Sequence, residues 1–274
     1  PDWPAISALT SRPVAPCIVD CPHPAADRLP YGAVSRAGGA LSAAILTATA
    51  AALQPRFVDG VVTLPLSKAA LRAAGSPYHG HTEFFRDAAG AADAVMAFHA
   101  PGFMVALATI HEPLARVPQL LTADHLTRVL RLAHTALRTD FGLAAPRLGV
   151  LGLNPHAGED GVLGDEELRI ISPVLDRLRA DGLLLDGPLV PDVAFRHRDR
   201  YDLLVALYHD QGLIPFKLLA FDRGVNVTLG LPFVRTSVDH GTAYDIAGRG
   251  VAATTSFLAA WQLAAAIAAR HARH

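Results

Sequence analysis

The sequence predicts an α/β protein on three observations. Short aliphatic runs such as Leu203-Leu204-Val205-Ala206-Leu207 recur along the chain, each with the length and unbroken apolarity of a strand buried on both faces. Alanine-rich stretches of helical length separate them, the pattern of strands crossed over by helices in a parallel or mixed sheet. Of the 274 residues 51% are apolar and 18% charged, which suffices for a stable core in one large domain or two smaller ones and excludes a disordered chain.

Taken in order, Pro1-Asp2-Trp3-Pro4 has neither the basic region nor the apolar core of a signal peptide, and with no initiator Met the chain reads as having lost its beginning. Cys17 and Cys21 lie close together with His23 beyond, but one C-x-x-x-C pair lacks the four ligands of a structural zinc site. Two ordinary thiols in a reducing cytoplasm are expected. Ser35 to Leu53 reads as a helix, and Phe57 to Thr63 as a strand leading into Leu64-Pro65-Leu66-Ser67-Lys68. Phe103 to Thr109 is a second strand, ending at Ile110-His111-Glu112-Pro113. Thr122 to Asp140 is an amphipathic helix with an N-cap threonine. Arg147 to Leu153 is a third strand, ending at Asn154-Pro155-His156. Gly164-Asp165-Glu166-Glu167 opens a helix to about Ala180, acidic at its amino end as the macrodipole favours. Val251 to Ala269 is long and uncharged, but Thr254, Thr255, Ser256, Gln262 and many alanines argue for a terminal helix packed on the domain rather than a membrane span. The 24 basic and 25 acidic residues nearly cancel, so nothing electrostatic points to nucleic acid or to an anionic membrane.

Three histidines, His111, His156 and His209, each follow a predicted strand, where parallel sheets deliver their catalytic side chains. A lone histidine there is usually a hydrogen-bonded structural residue. Three at equivalent positions suit a zinc-like ion with coordination positions left for substrate, and Asp210 could orient an imidazole. Lys217, Asn226 and Arg235 form a second group: surface charge is the usual fate of Lys and Arg, but the flanks Ile214-Pro215-Phe216 and Leu231-Pro232-Phe233-Val234 would bury much of both stems, as a phosphate or carboxylate clamp requires. At His81-Thr82-Glu83 either a plain helix start or an anion site at a helix amino end is open. The run from His240 to Gly250 is glycine-rich but lacks the Rossmann fingerprint, and composition alone leaves it a helix-entry loop.

Four strings together resemble the 4-hydroxythreonine-4-phosphate dehydrogenase family of vitamin B6 biosynthesis. They are Gly80-His81-Thr82-Glu83-Phe84, Gly152 to Glu159, Tyr208-His209-Asp210-Gln211-Gly212, and Asn226 to Thr242. They stand in the family's order from about Gly60 onward. The family's opening glycine-rich strand-turn segment has no counterpart in Pro1 to Pro30, so that segment is expected to be missing from this chain. The family is similar in fold to isocitrate and isopropylmalate dehydrogenases, which implies two α/β/α domains with a cleft between them: 1–74 with 205–274, and 75–204.

The resemblance further implies a divalent metal (Zn, Mg or Co) on His111, His156 and His209, shared across a homodimer interface. It implies a phosphorylated substrate held by His81, Thr82, Lys217, Asn226 and Arg235. It also implies NAD or NADP on the loop containing His240, Gly241, Thr242, Asp245, Ile246 and Gly248. The implied reaction is oxidation of 4-phosphohydroxy-L-threonine to a 3-oxo acid that loses carbon dioxide to give 3-amino-2-oxopropyl phosphate, with Lys68 and Asp210 as candidates for proton transfer. Relatives acting on phosphothreonate or an aromatic cis-dihydrodiol are the alternative within the family, and a catalytically silent metal- or ligand-binding homologue is the alternative outside it.

Overall fold

The computed structural model describes residues 23–24, 29–53, 58–78, 80–220 and 223–273, so the two cysteines lie outside the described residues. Its strands are β1 (Gly60–Thr63), β2 (Val95–Ala100), β3 (Phe103–Leu107), β4 (Arg147–Leu151), β5 (Leu184–Leu189), β6 (Leu203–Ala206), β7 (Val225–Leu229) and β8 (Val234–Val238). They form one mixed sheet in the order β1-β8-β7-β2-β3-β6-β4-β5. The aliphatic run at 203–206 is central, with β3 and β4 parallel to it on either side. The strands that precede His111, His156 and His209 are therefore three adjacent parallel neighbours, and their carboxyl ends share one edge of the sheet.

Alternation along these strands explains why they read as continuous apolar runs. Val95, Ala97, Met104, Ala106, Leu203 and Val205 face one core, whereas Met96, Phe98, Val105, Leu107, Leu204 and Ala206 face another. Among the helices are α1 (Arg36–Leu53), α2 (Lys68–Ala73), α3 (His81–Ala88), α4 (Ala123–Thr139), α5 (Ser172–Ala180), α6 (His209–Ala220) and α7 (Thr255–His271). The first face is covered by α4, through Leu126, Val129, Leu130, Ala133 and Leu137 at helical spacing, and by α5 and α7. Leu213 and Phe216 of α6 cover part of the second.

Thr122 caps α4 as predicted, its hydroxyl accepting from the His125 N–H at 3.2 Å. The terminal helix also packs as expected: Ala260, Ala264 and Ile267 are buried, and the Ala260 carbonyl accepts from the Thr236 hydroxyl. By length and composition, α1 is apolar enough to cross a membrane, but Leu46 and Leu53 lie buried with Phe85 of α3, and a Cβ on Gly39 would stand 1.9 Å from the Ala70 carbonyl oxygen of α2. This close packing fixes α3, the helix that opens the site.

One difference from expectation matters. The helix predicted from Gly164 widens into a π-turn over Glu167–Ile171 before α5 begins, and Glu167 is buried instead of facing solvent at a helix amino end. The sheet continues between the two expected lobes, since β2, from 75–204, pairs antiparallel with β7, from 205–274.

Candidate active site

Arg235, on β8, is 3% exposed, as its apolar flanks suggested. Its Nη1 donates to the Thr228 hydroxyl at 2.9 Å and, at 3.4 Å, to that of Thr82; Nη2 donates to the Thr63 hydroxyl at 2.9 Å. All three acceptors are neutral, and Nε has no partner. Burial lowers the Arg235 pKa to about 10, with the Glu83 carboxylate opposing the shift, so the guanidinium stays charged at neutral pH. A cavity of about 190 Å³ opens beside it, lined by Lys68, His81, Thr82, Glu83, His111, Asn226, Arg235, His240 and Gly241, among others. His81 and Thr82 begin α3 and line the same cavity, so the amino end of the helix, whose first N–H groups have no partner within it, borders this space. Burial, and then the Arg235 charge, bring the His81 pKa down to about 3, which leaves a neutral ring. Oδ1 of Asn226 is buried without a partner.

The histidines assemble only in part. The His111 and His209 rings stand 5.7 Å apart between centroids, a spacing that one ion bonded at about 2.1 Å to each can bridge. Burial, then the charges of Lys68 and His209, lower the His111 pKa and keep it in the neutral, ligating form; Glu83 opposes them. His209 starts α6, and its Nδ1 pairs at 2.7 Å with Oδ1 of Asp210, which orients the ring. His156 lies elsewhere, in a cavity with Asn154, Pro155, Asp192, Tyr208 and Gln211. Among the described residues no three His, Cys, Asp or Glu side chains gather closely enough to hold an ion.

Lys217 was expected beside Arg235 but pairs instead with Asp239 at 3.3 Å. Of the expected cofactor residues, His240 and Gly241 line the Arg235 cavity. Thr242, Asp245, Ile246 and Gly248 continue the loop beyond it, through a left-handed Ala243 and a short 3-10 turn at Tyr244–Ile246. Gly241 has open space on the side where a Cβ would stand, so a ligand can approach its backbone.

The profile of the pyridoxal phosphate biosynthetic protein PdxA family matches residues 8–264. The chain belongs to this family. The match opens well ahead of Gly60, where the motif resemblance begins. A 4-hydroxythreonine-4-phosphate dehydrogenase from Paracoccus denitrificans (strain Pd 1222) is 51% identical over 77% of this chain and 68% of its own length. One from Xanthomonas campestris pv. campestris (strain 8004) is 48% identical over 90% and 78%. The crystal structure of a 4-hydroxythreonine-4-phosphate dehydrogenase from Klebsiella pneumoniae aligns with TM-score 0.82 at 42% identity, covering 91% of this chain and 77% of that one. That of a terephthalate 1,2-cis-dihydrodiol dehydrogenase from Burkholderia xenovorans LB400 aligns at 0.66 and 34%, covering 88% and 77%.

Within this PdxA-family chain, residues that sequence reasoning passed over support the ones it chose. Thr63 and Thr228 hold the Arg235 fork. Gln211 accepts from Leu207 N–H and donates to the Gly152 carbonyl, both at 2.7 Å, tying the ends of β6 and β4 together. The five residues from His156 to Asp160 all adopt positive φ, from 44° to 83°, in a left-handed turn. For the four that are not glycine this costs about 1–2 kcal/mol each, so the surroundings must enforce it. Only Gly158 signals such a turn in the sequence.

Proposed function

We propose that this chain is a 4-hydroxythreonine-4-phosphate dehydrogenase, acting with NAD and a divalent metal on a phosphorylated hydroxy amino acid. One observation supports this most: Arg235 is a buried cation whose hydrogen-bond partners are all neutral, and it faces a cavity with two further unsatisfied or polar groups, Asn226 and Thr82. Glu83, which lines the same cavity, acts on the guanidinium through space without hydrogen-bonding it. A buried charge without a directly bonded counter-charge is costly. A phosphate entering the cavity supplies one, with the α3 amino end and the Thr82 hydroxyl as further donors.

A bound metal would supply the Lewis acidity that lowers the pKa of the substrate hydroxyl, and NAD the hydride acceptor for the carbon bearing that hydroxyl. The donor set suits such an ion. His111 and His209 offer two adjacent imidazoles, and His156 of a second subunit would complete three in the homodimer implied by the resemblance. Asp210 orients the His209 ring. Lys68, which lines the cavity with His111, is the candidate for taking the hydroxyl proton. His240, Gly241 and the loop after them hold the dinucleotide. The reading includes the two-lobed division at 74/75 and 204/205 and a cytoplasmic location.

NAD reduction tests it, measured with 4-phosphohydroxy-L-threonine, its unphosphorylated form, phosphothreonate and a cis-dihydrodiol, with and without chelator. Chelator-sensitive turnover of the phosphorylated amino acid is expected. Turnover of the free diol alone would transfer the chain to the reading favoured by its likeness to the dihydrodiol enzyme. Metal binding with no turnover of any substrate would make it a silent homologue.

A further inference from the structure

Among the described residues Glu167 is the only buried acid, at 2% exposure, and the proposed reaction does not use it. Its Oε1 accepts from the backbone N–H groups of Leu153 and Asn154, both at 2.7 Å, and its Oε2 accepts from Nδ2 of Asn154 at 2.9 Å. Nδ2 donates in addition to Glu166 at 2.7 Å. The surrounding glycines make room for this arrangement. A Cβ on Gly152 would lie 3.2 Å from Oε1, and one on Gly158 2.8 Å from Oε2; one on Gly164 would strike Nδ2 of Asn154 at 2.3 Å.

The gripped peptides immediately precede Pro155 and His156, where the left-handed turn starts. We infer that Glu167 is a positioning residue for His156. It anchors the end of β4 through charge-assisted bonds and so fixes where the turn projects the imidazole. An apolar side chain could fill the same volume without the cost of desolvating a carboxylate. What it could not do is hold two successive N–H groups and the Asn154 amide in one orientation. The inference rests on the reading of His156 as a metal ligand.

The test is titration of the metal-free full-length protein with Co(II), reading affinity and d–d absorption bands, alongside the metal-free Tm. Glu167→Ala is expected to weaken Co(II) binding about 10- to 100-fold and to shift the bands. Glu167→Gln keeps one carbonyl acceptor but sets an amide N–H against Nδ2 of Asn154, and should lie between. Leu175→Ala, at a fully buried position of α5, serves as a purely structural control that lowers Tm and leaves Co(II) affinity and bands unchanged. If Glu167→Ala behaves like Leu175→Ala, the inference is overturned; if that variant does not fold, Glu167→Gln decides by the same comparison. His156→Ala separates the two levels. Unchanged Co(II) affinity there overturns the ligand reading and this inference with it, whereas a large loss there beside none in the Glu167 variants overturns the inference alone.

Discussion

The Arg235 cavity and the histidine cluster differ in how completely one chain builds them. Around Arg235, β1, β7, β8 and α3 each contribute a side chain, and the guanidinium is locked by three hydroxyls before any ligand arrives. The histidines stand at the ends of three neighbouring strands, yet only His111 and His209 meet, and His156 is held apart on a left-handed turn. Anion binding can be preorganised inside one subunit, because a buried cation and a few hydroxyls suffice. A three-histidine ion site open to substrate would need donors from several directions, and in one chain only His111 and His209 stand adjacent.

The largest effect belongs to the less complete site. His209→Ala should remove both Co(II) or Zn(II) binding and metal-dependent turnover, a loss of at least roughly 10³-fold in kcat, because half of the adjacent pair disappears. Substrate phosphate should still protect the variant against thermal unfolding, since the Arg235 cavity does not contain residue 209. Full activity in this variant would remove the metal from the reaction.

Arg235→Lys attacks the other region. An ammonium has three donors, so it cannot keep all three threonine contacts and also face the substrate, and kcat/KM should fall by about 2–3 kcal/mol, roughly 30- to 150-fold, mostly through KM. Metal affinity should not change. A parallel loss of metal affinity would show that the two regions are one coupled unit. Asp210→Asn comes next, with a fall of about tenfold in metal affinity, because the amide orients His209 less firmly than the carboxylate at 2.7 Å.

The sequence exposed these regions unequally, for physical reasons. Buried parallel strands announce themselves by unbroken aliphatic runs, so β3, β4 and β6 were legible, together with the histidines behind them. β5 was not: Leu-Leu-Asp-Gly-Pro-Leu is poor strand material, tolerated at a sheet edge, and only its pairing with β4 makes it a strand. Apolar flanks correctly indicated burial of Arg235. Similar flanks leave Lys217 part-buried, its side chain 39% exposed and paired with Asp239, because apolar neighbours in sequence do not say which group the charged end will meet. The left-handed turn at His156 is hidden because Ala157 and Glu159 rarely adopt that conformation, and the modest tolerance of His and Asp for it predicts single residues, not a run of five. Glu167 reads in the sequence as a helix-dipole charge because the partners it anchors lie 13 and 14 positions away.

The last predicted effect concerns the protonation of the cavity itself. His81 titrates at about 3 in the folded protein against 6.5 in the unfolded chain, first because it is buried and then because of Arg235. Above pH 6.5 neither state carries the proton, and His81 imposes no pH dependence on stability. As pH falls below 6.5 the unfolded chain takes up a proton that the native cavity refuses, so stability is lost progressively down to about pH 3. His99 and His111 are shifted in the same direction and add to the same acid limb. Urea midpoints measured at pH 7.5 and 4.5 should therefore fall less in His81→Gln than in the unmodified chain, without becoming level. Equal falls in the two proteins would mean that His81 takes up its proton in the native cavity as readily as in the unfolded chain. The Arg235 region would then be more open to solvent than its hydrogen bonds imply, and the contrast with the histidine cluster would narrow.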